Sequence, residues 1–78
     1  MRYAAYEYWI SIHDSENRRG SDLLGHDERQ AYEMVKRMLD QFVCEGYVIF
    51  RSFAVPNVWV AQRQAEYAML ELIVTGVN

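Results

Sequence analysis

Residues 27–45 read DERQAYEMVKRMLDQFVCE, and this stretch decides the fold class. Ala31, Val35, Met38 and Phe42, flanked by Met34 and Leu39, recur at intervals of three and four residues. That spacing lays them in one stripe along a helix of period 3.6. Arg29, Glu33, Lys36, Arg37 and Asp40 fall on the far side, with Glu33 four residues before Arg37 in the favourable order for a helical ion pair. Asp27 and Gln30 have the spacing of a capping box, in which the carboxylate accepts an orphan amide of the first turn. Gly46 stands where a left-handed C-terminal cap is wanted. The pattern predicts one helix from about Glu28 to about Glu45, whose apolar stripe needs a cover.

Upstream, Ala4 to His13 alternates with period two: Ala4, Tyr6, Tyr8, Ile10 and Ile12 on one side, Ala5, Glu7, Trp9, Ser11 and His13 on the other. This is a strand, and its even face is the core face. Asp14 to Asp22 is polar and rich in turn formers, which predicts a loop, with Leu23 and Leu24 folding back as a short lid that Gly25 ends. Downstream, Tyr47–Val55 and Val58–Arg63 are rich in aromatic and β-branched residues and flank Pro56-Asn57, so they read as a hairpin. With Pro56 and Asn57 as its central residues, Val55 faces Val58 and Phe53 faces Val60 toward the helix, while Ala54 faces Trp59 outward. Gln64 to Val77 gives two signals: helix formers up to Leu72, then β-branched residues with strand alternation at Leu70, Leu72 and Val74. The expectation is a single α+β domain over residues 1–78. An antiparallel sheet of three to four strands packs on one main helix, in the order β-α-β-β-β or, if the last segment is helical, β-α-β-β-α.

Size and composition narrow the function. Seventy-eight residues hold one core, and Cys44, the sole cysteine, has no intrachain partner, which suits a reducing compartment. A formal net charge of −3 opposes a polyanion, and Arg51 and Arg63 are expected on opposite faces, so direct nucleic-acid binding is disfavoured. No apolar run reaches the roughly 20 residues that cross a bilayer, and Met1-Arg2 leads into alternating aromatics instead of a signal block. A cytoplasmic, non-membrane protein is expected.

The chain carries few arrangements that perform chemistry. His13, Asp14, Glu16, Asp22, His26, Asp27 and Glu28 are ligand-type residues, but they follow no metal-ligand spacing and read as a solvated acidic loop. His13, Asp14 and Ser15 supply hydrolase residue types, yet strand neighbours point to opposite faces and do not converge. Cys44 lies beside Glu45 at a helix C-terminus, where nothing activates the thiol as a nucleophile. The four glycines lack phosphate-loop spacing. No catalytic residue, cofactor site or metal site is expected.

The outer sheet face is more informative. The registers above turn Glu7 and Trp9 of the first strand and Phe50 and Trp59 of the hairpin away from the helix. Large aromatics cost about 1.5–3 kcal/mol each to leave in water, so such a face is covered by a partner or a second subunit, or else by the terminal segment or the Leu23-Leu24 lid folding over it. Trp9, Glu7, Phe50 and Trp59, with the acidic loop residues Asp14, Glu16 and Asp22, are therefore the candidate partner-binding residues.

The order of strand Tyr6–Ile12, acidic loop, helix Glu28–Glu45 and hairpin Tyr47–Arg63, in a short acidic chain with one cysteine, resembles small phage-encoded anti-CRISPR proteins. The resemblance covers the whole chain as a profile and carries no shared motif. It implies a non-enzymatic, stoichiometric inhibitor that works in the host-cell cytoplasm. Such a protein binds a CRISPR effector complex or nuclease through aromatic and acidic residues and blocks access of nucleic acid. The alternative is a homodimeric structural or accessory subunit that uses the outer aromatic face.

Overall fold

The computed structural model of the chain describes residues 5–77, so the expected place of Ala4 on the core face of the first strand lies outside the described residues. Six elements follow in chain order: β1 (Ala5–Asp14), β2 (Arg19–Gly25), α1 (Glu28–Cys44), β3 (Val48–Arg51), β4 (Val58–Arg63) and β5 (Glu66–Val77). The strands form one antiparallel sheet in the order β2-β1-β5-β4-β3. The class is α+β with one helix, as expected. The sheet has five strands instead of three or four.

The additional strand is β2. Arg19 to Gly25 was expected to be loop and lid, but it pairs antiparallel with β1, from His13↔Arg19 to Tyr8↔Gly25. Asp14 makes the turn that starts it: its Oδ1 accepts the amides of Glu16 (2.9 Å) and Arg18 (3.0 Å), and Asn17 takes a positive φ of 62°. A register shift between Tyr8↔Gly25 and Trp9↔Leu23 leaves Leu24 as the extra residue of a bulge in β2. Leu24 enters the core at 6 % exposure, whereas its neighbour Leu23 stays at 45 % on the outer side.

The helix forms where its periodicity places it. The Asp27 carboxylate accepts the Gln30 amide at 3.1 Å. At the other end Gly46 (φ 91°) donates to Val43 O and Tyr47 N donates to Phe42 O, a Schellman closure. The Tyr47 ring meets Phe42 edge-on at 5.1 Å, supplying the apolar contact that accompanies such a closure. On the exposed side Glu33 pairs with Arg29 (3.8 Å) rather than with the expected Arg37.

The first and last strands lie side by side, Ala5↔Val77 through Asp14↔Ala68, and supply most of the core. Tyr8, Ile10 and Leu24 meet Ala68, Leu70 and Leu72 beneath Ala31 and Val35, with Ile12, Met38, Leu39, Phe42 and Trp59 packed around them. Ile10 and Leu70 are fully buried, each contributing about 1.5–3 kcal/mol. Ala31, Ala61 and Ala68 are small enough to let α1 approach the sheet closely. The segment with two conflicting signals, Gln64 to Val77, is the strand β5 after a tight turn at Gln64-Ala65.

The hairpin between β3 and β4 has a different register from the one expected. Its partners are Val48↔Gln62, Ile49↔Ala61, Phe50↔Val60 and Arg51↔Trp59, and six residues, Ser52 to Asn57, connect the strands. The pairing is offset by three residues from a two-residue turn at Pro56-Asn57, and an odd offset exchanges faces. Arg51 and Arg63 therefore lie on the same side of the sheet, correcting the expectation that they oppose.

Candidate protein-interaction surface

One helix covers one face of the sheet, so the other face of the described residues is open. Strand alternation populates that face. Leu23, Trp9 and Ile73 lie in register across β2, β1 and β5. Met69, Val60 and Phe50 form a second row across β5, β4 and β3, extended by Val58 and Val48. Between the rows lie Ser11, Ser21 and Glu71, and the corner beside the second row holds His13 and Arg19. Leu23, Ile73, Met69, Phe50 and Val48 are all substantially exposed, while Trp9 is half-buried.

Three of the seven candidate residues share this face. Trp9 and Glu7 occupy the odd positions of β1, and Phe50 stands 53 % exposed on β3. Trp59 does not belong to it. Opposite Leu70 and on the same side as the buried Ala61, it packs against the core beneath α1, which corrects the expectation of two outward indoles. The register shift described above is the physical reason.

The acidic candidates do not join the aromatic face either. Asp22 lies opposite Ile10, on the helix side of the edge strand. Asp14 and Glu16 are engaged within the β1–β2 turn, where Arg18 bonds Asp14 Oδ2 through Nε at 2.9 Å and Glu16 through Nη2 at 3.0 Å. Burial raises the Asp14 carboxyl, but the amides of Arg18 and Glu16 and the Arg18 guanidinium outweigh it and hold the group below its ordinary value. The loop is a built turn and not a free acidic arm.

The remaining ligand-type residues are likewise used locally. His26 Nδ1 lies 3.0 Å from the Tyr6 carbonyl oxygen, and His13 Nε2 lies 3.4 Å from Asn17 Oδ1. Among the described residues no group of three or more His, Cys, Asp or Glu is gathered as a metal site, and Cys44 is exposed. No helix among them is long and apolar enough to cross a membrane.

Sequence reasoning missed a second polar assembly, at the end of the sheet where α1 stops. Arg63 donates to the Glu45 carbonyl at 2.7 Å and to Glu66 at 3.0 Å, and its guanidinium lies 4.6 Å from the Tyr47 ring centre. The Tyr47 hydroxyl donates to the same Glu66 oxygen at 3.0 Å. The bond from Arg63 and then that from Tyr47 hold the Glu66 carboxyl below its ordinary value. This clamp closes the helix terminus onto the β4–β5 turn. Its signal was present as Arg63 and Glu66 flanking Gln64-Ala65, but only the long-range partner Tyr47 gives that pair a role.

The geometry thus offers an open sheet face on which two apolar rows run among polar residues, with a structural polar clamp beneath one end. No family model, curated protein or solved structure matches this chain at a significant level.

Proposed function

We propose that this protein acts by binding another protein, without catalysis, through the outer face of its sheet. The observation that carries the reading is the aligned apolar row Met69, Val60 and Phe50, with Val58 and Val48 beside it and Leu23, Trp9 and Ile73 as a second row. Each large apolar group held in water forgoes about 1.5–3 kcal/mol of burial, which a complementary surface recovers. Half-buried Trp9 and exposed Phe50 are the residue types that supply the desolvated centre of an interface.

In its narrower form the proposal names the target as a CRISPR effector or its nuclease, met in the host-cell cytoplasm. Net charge −3 favours encounter with a basic, nucleic-acid-binding protein. With Asp14 and Glu16 paired to Arg18, the attraction belongs to the overall field of the molecule instead of to a free acidic loop.

Affinity capture from lysate of the host cells tests the reading with three baits. These are the wild-type chain, an outer-face double variant Trp9→Ser/Phe50→Ser, and a helix-face control Lys36→Glu/Arg37→Glu. A protein retained by the wild type and the control but lost from the outer-face variant supports it. Retention by the outer-face variant with loss from the control contradicts it. Target cleavage by a purified CRISPR effector, inhibited by the wild type and restored with the outer-face variant, tests the narrower form.

A further inference from the structure

The Ser52–Asn57 connection carries Phe53, Ala54, Val55 and Pro56, four consecutive apolar residues that are all exposed, with the Phe53 ring wholly in solvent at 102 %. The loop is nonetheless anchored. Ser52 N donates to Val58 O (3.0 Å), Val55 N to Ser52 Oγ (3.1 Å), the Tyr32 hydroxyl to Asn57 Oδ1 (2.7 Å), and Leu72 N to Asn57 O (2.9 Å). An apolar run on a fixed backbone is a preorganised knob, because little further ordering is needed when it docks.

A hole of matching size lies elsewhere on the molecule. A cleft of about 170 Å³ is lined by Ile12, Phe42 and Ala68 and flanked by Tyr47 and Tyr67. A cavity of roughly 150 Å³ holds a benzene ring, so a phenyl side chain matches this open cleft in size, where Asp14, Ser15, Glu16, Arg18 and Glu66 stand beside the apolar Ile12, Phe42 and Ala68. Charge matches as well as shape. Asp14 and Glu16 share Arg18, and Glu66 is bonded to Arg63, so the cleft keeps one acidic charge in excess, whereas the segment 51–57, RSFAVPN, brings Arg51 and no acid. Tyr32, which anchors the knob, belongs to the second turn of α1, and Phe42 of the cleft to its last turns. Knob and hole therefore sit toward opposite ends of the helix, and a chain does not fill its own cleft.

We propose that Phe53 of one copy enters the Phe42–Ala68 cleft of a second copy, joining chains head to tail. Such a contact is heterologous: it leaves one free knob and one free cleft on every dimer and so propagates into short chains. The contact is small beside the roughly 1,000 Å² of a stable interface, so association needs concentrated protein. It uses neither Trp9 nor the rest of the outer face, and it stands independently of the protein-binding reading.

Sedimentation equilibrium up to millimolar protein tests this with two exposed-site variants, Phe53→Ser, which lacks the knob, and Glu16→Trp, which sets an indole across the cleft mouth. The wild-type average mass should rise past the dimer without a plateau, and each variant alone should remain monomeric. An equimolar mixture of the two should form dimers and nothing larger, because it contains one productive junction. Three results overturn the proposal: a wild type that stays monomeric at millimolar concentration, a variant that associates like the wild type, or a mixture that stays monomeric while both variants keep the wild-type circular dichroism. Association of Phe53→Ser like the wild type would place the contact elsewhere, as in a face-to-face dimer of the sheet.

Discussion

Trp9 and Trp59 are both half-buried but stand on opposite faces of the sheet, and the difference comes from the parity of each strand. Trp9 lies across from Leu23 and Ile73 on the open face, while Trp59 lies across from Leu70 under the helix. The placement of Trp9 was legible because the two sides of β1 contrast in polarity, Tyr8, Ile10 and Ile12 against Glu7, Ser11 and His13. Trp59 was not legible, because Val58, Trp59, Val60 and Ala61 are apolar on both sides and period two carries no contrast there. Small Ala61, fully buried where α1 comes close, marks the inner side of β4, and Trp59 shares its parity. Urea denaturation should separate the two indoles. Trp59→Ala is expected to cost about 3 kcal/mol through lost core packing, and Trp9→Ala, half-buried between Leu23 and Ile73 on the open face, about 1–2 kcal/mol. Equal losses at the two positions would contradict this assignment of faces.

At the scale of elements, legibility followed the kind of force that forms each one. The helix was read to within one residue of its ends, since its stripe, its Asp27 cap and its Gly46 closure are all local signals. β2 was not read as a strand. Arg19, Gly20, Ser21 and Asp22 show no apolar alternation, and this edge strand is formed by backbone pairing to β1 after the Asp14 turn. β5 overrides the helical propensity of Gln64 to Leu72 because β1 and β4 pair with it on both sides, and strand formation depends on neighbours more than on composition. The leucine pair in β2 tests the corrected element. Leu24→Ala should lower unfolding free energy by about 2–4 kcal/mol, and Leu23→Ala by less than about 1 kcal/mol. A lid resting loosely on the core edge would instead give small, similar values for both.

Across the whole molecule, a single helix over a five-stranded sheet sets an imbalance that the chain does not correct among its described residues. One face holds the core, and the other presents two apolar rows separated by Ser11, Ser21 and Glu71. Of the residues expected on that face, Glu7, Trp9 and Phe50 lie there, Trp59 lies on the helix side, and the acids Asp14, Glu16 and Asp22 resolve into a turn and an edge position. The acids were not legible as a built turn because their partner lies on the other side of it: Arg18, which follows Asp14 by four residues, bonds both Asp14 and Glu16 once the turn folds. The claim that the outer face is the contact surface is tested most directly by photo-crosslinking in cells that carry the gene, with a benzoylphenylalanine placed at Val60 on that face or at Arg37 on the helix. The account predicts a covalent adduct with a different protein from position 60 and none from position 37. An adduct from position 37 alone, or none from position 60 in a correctly folded chain, would contradict it.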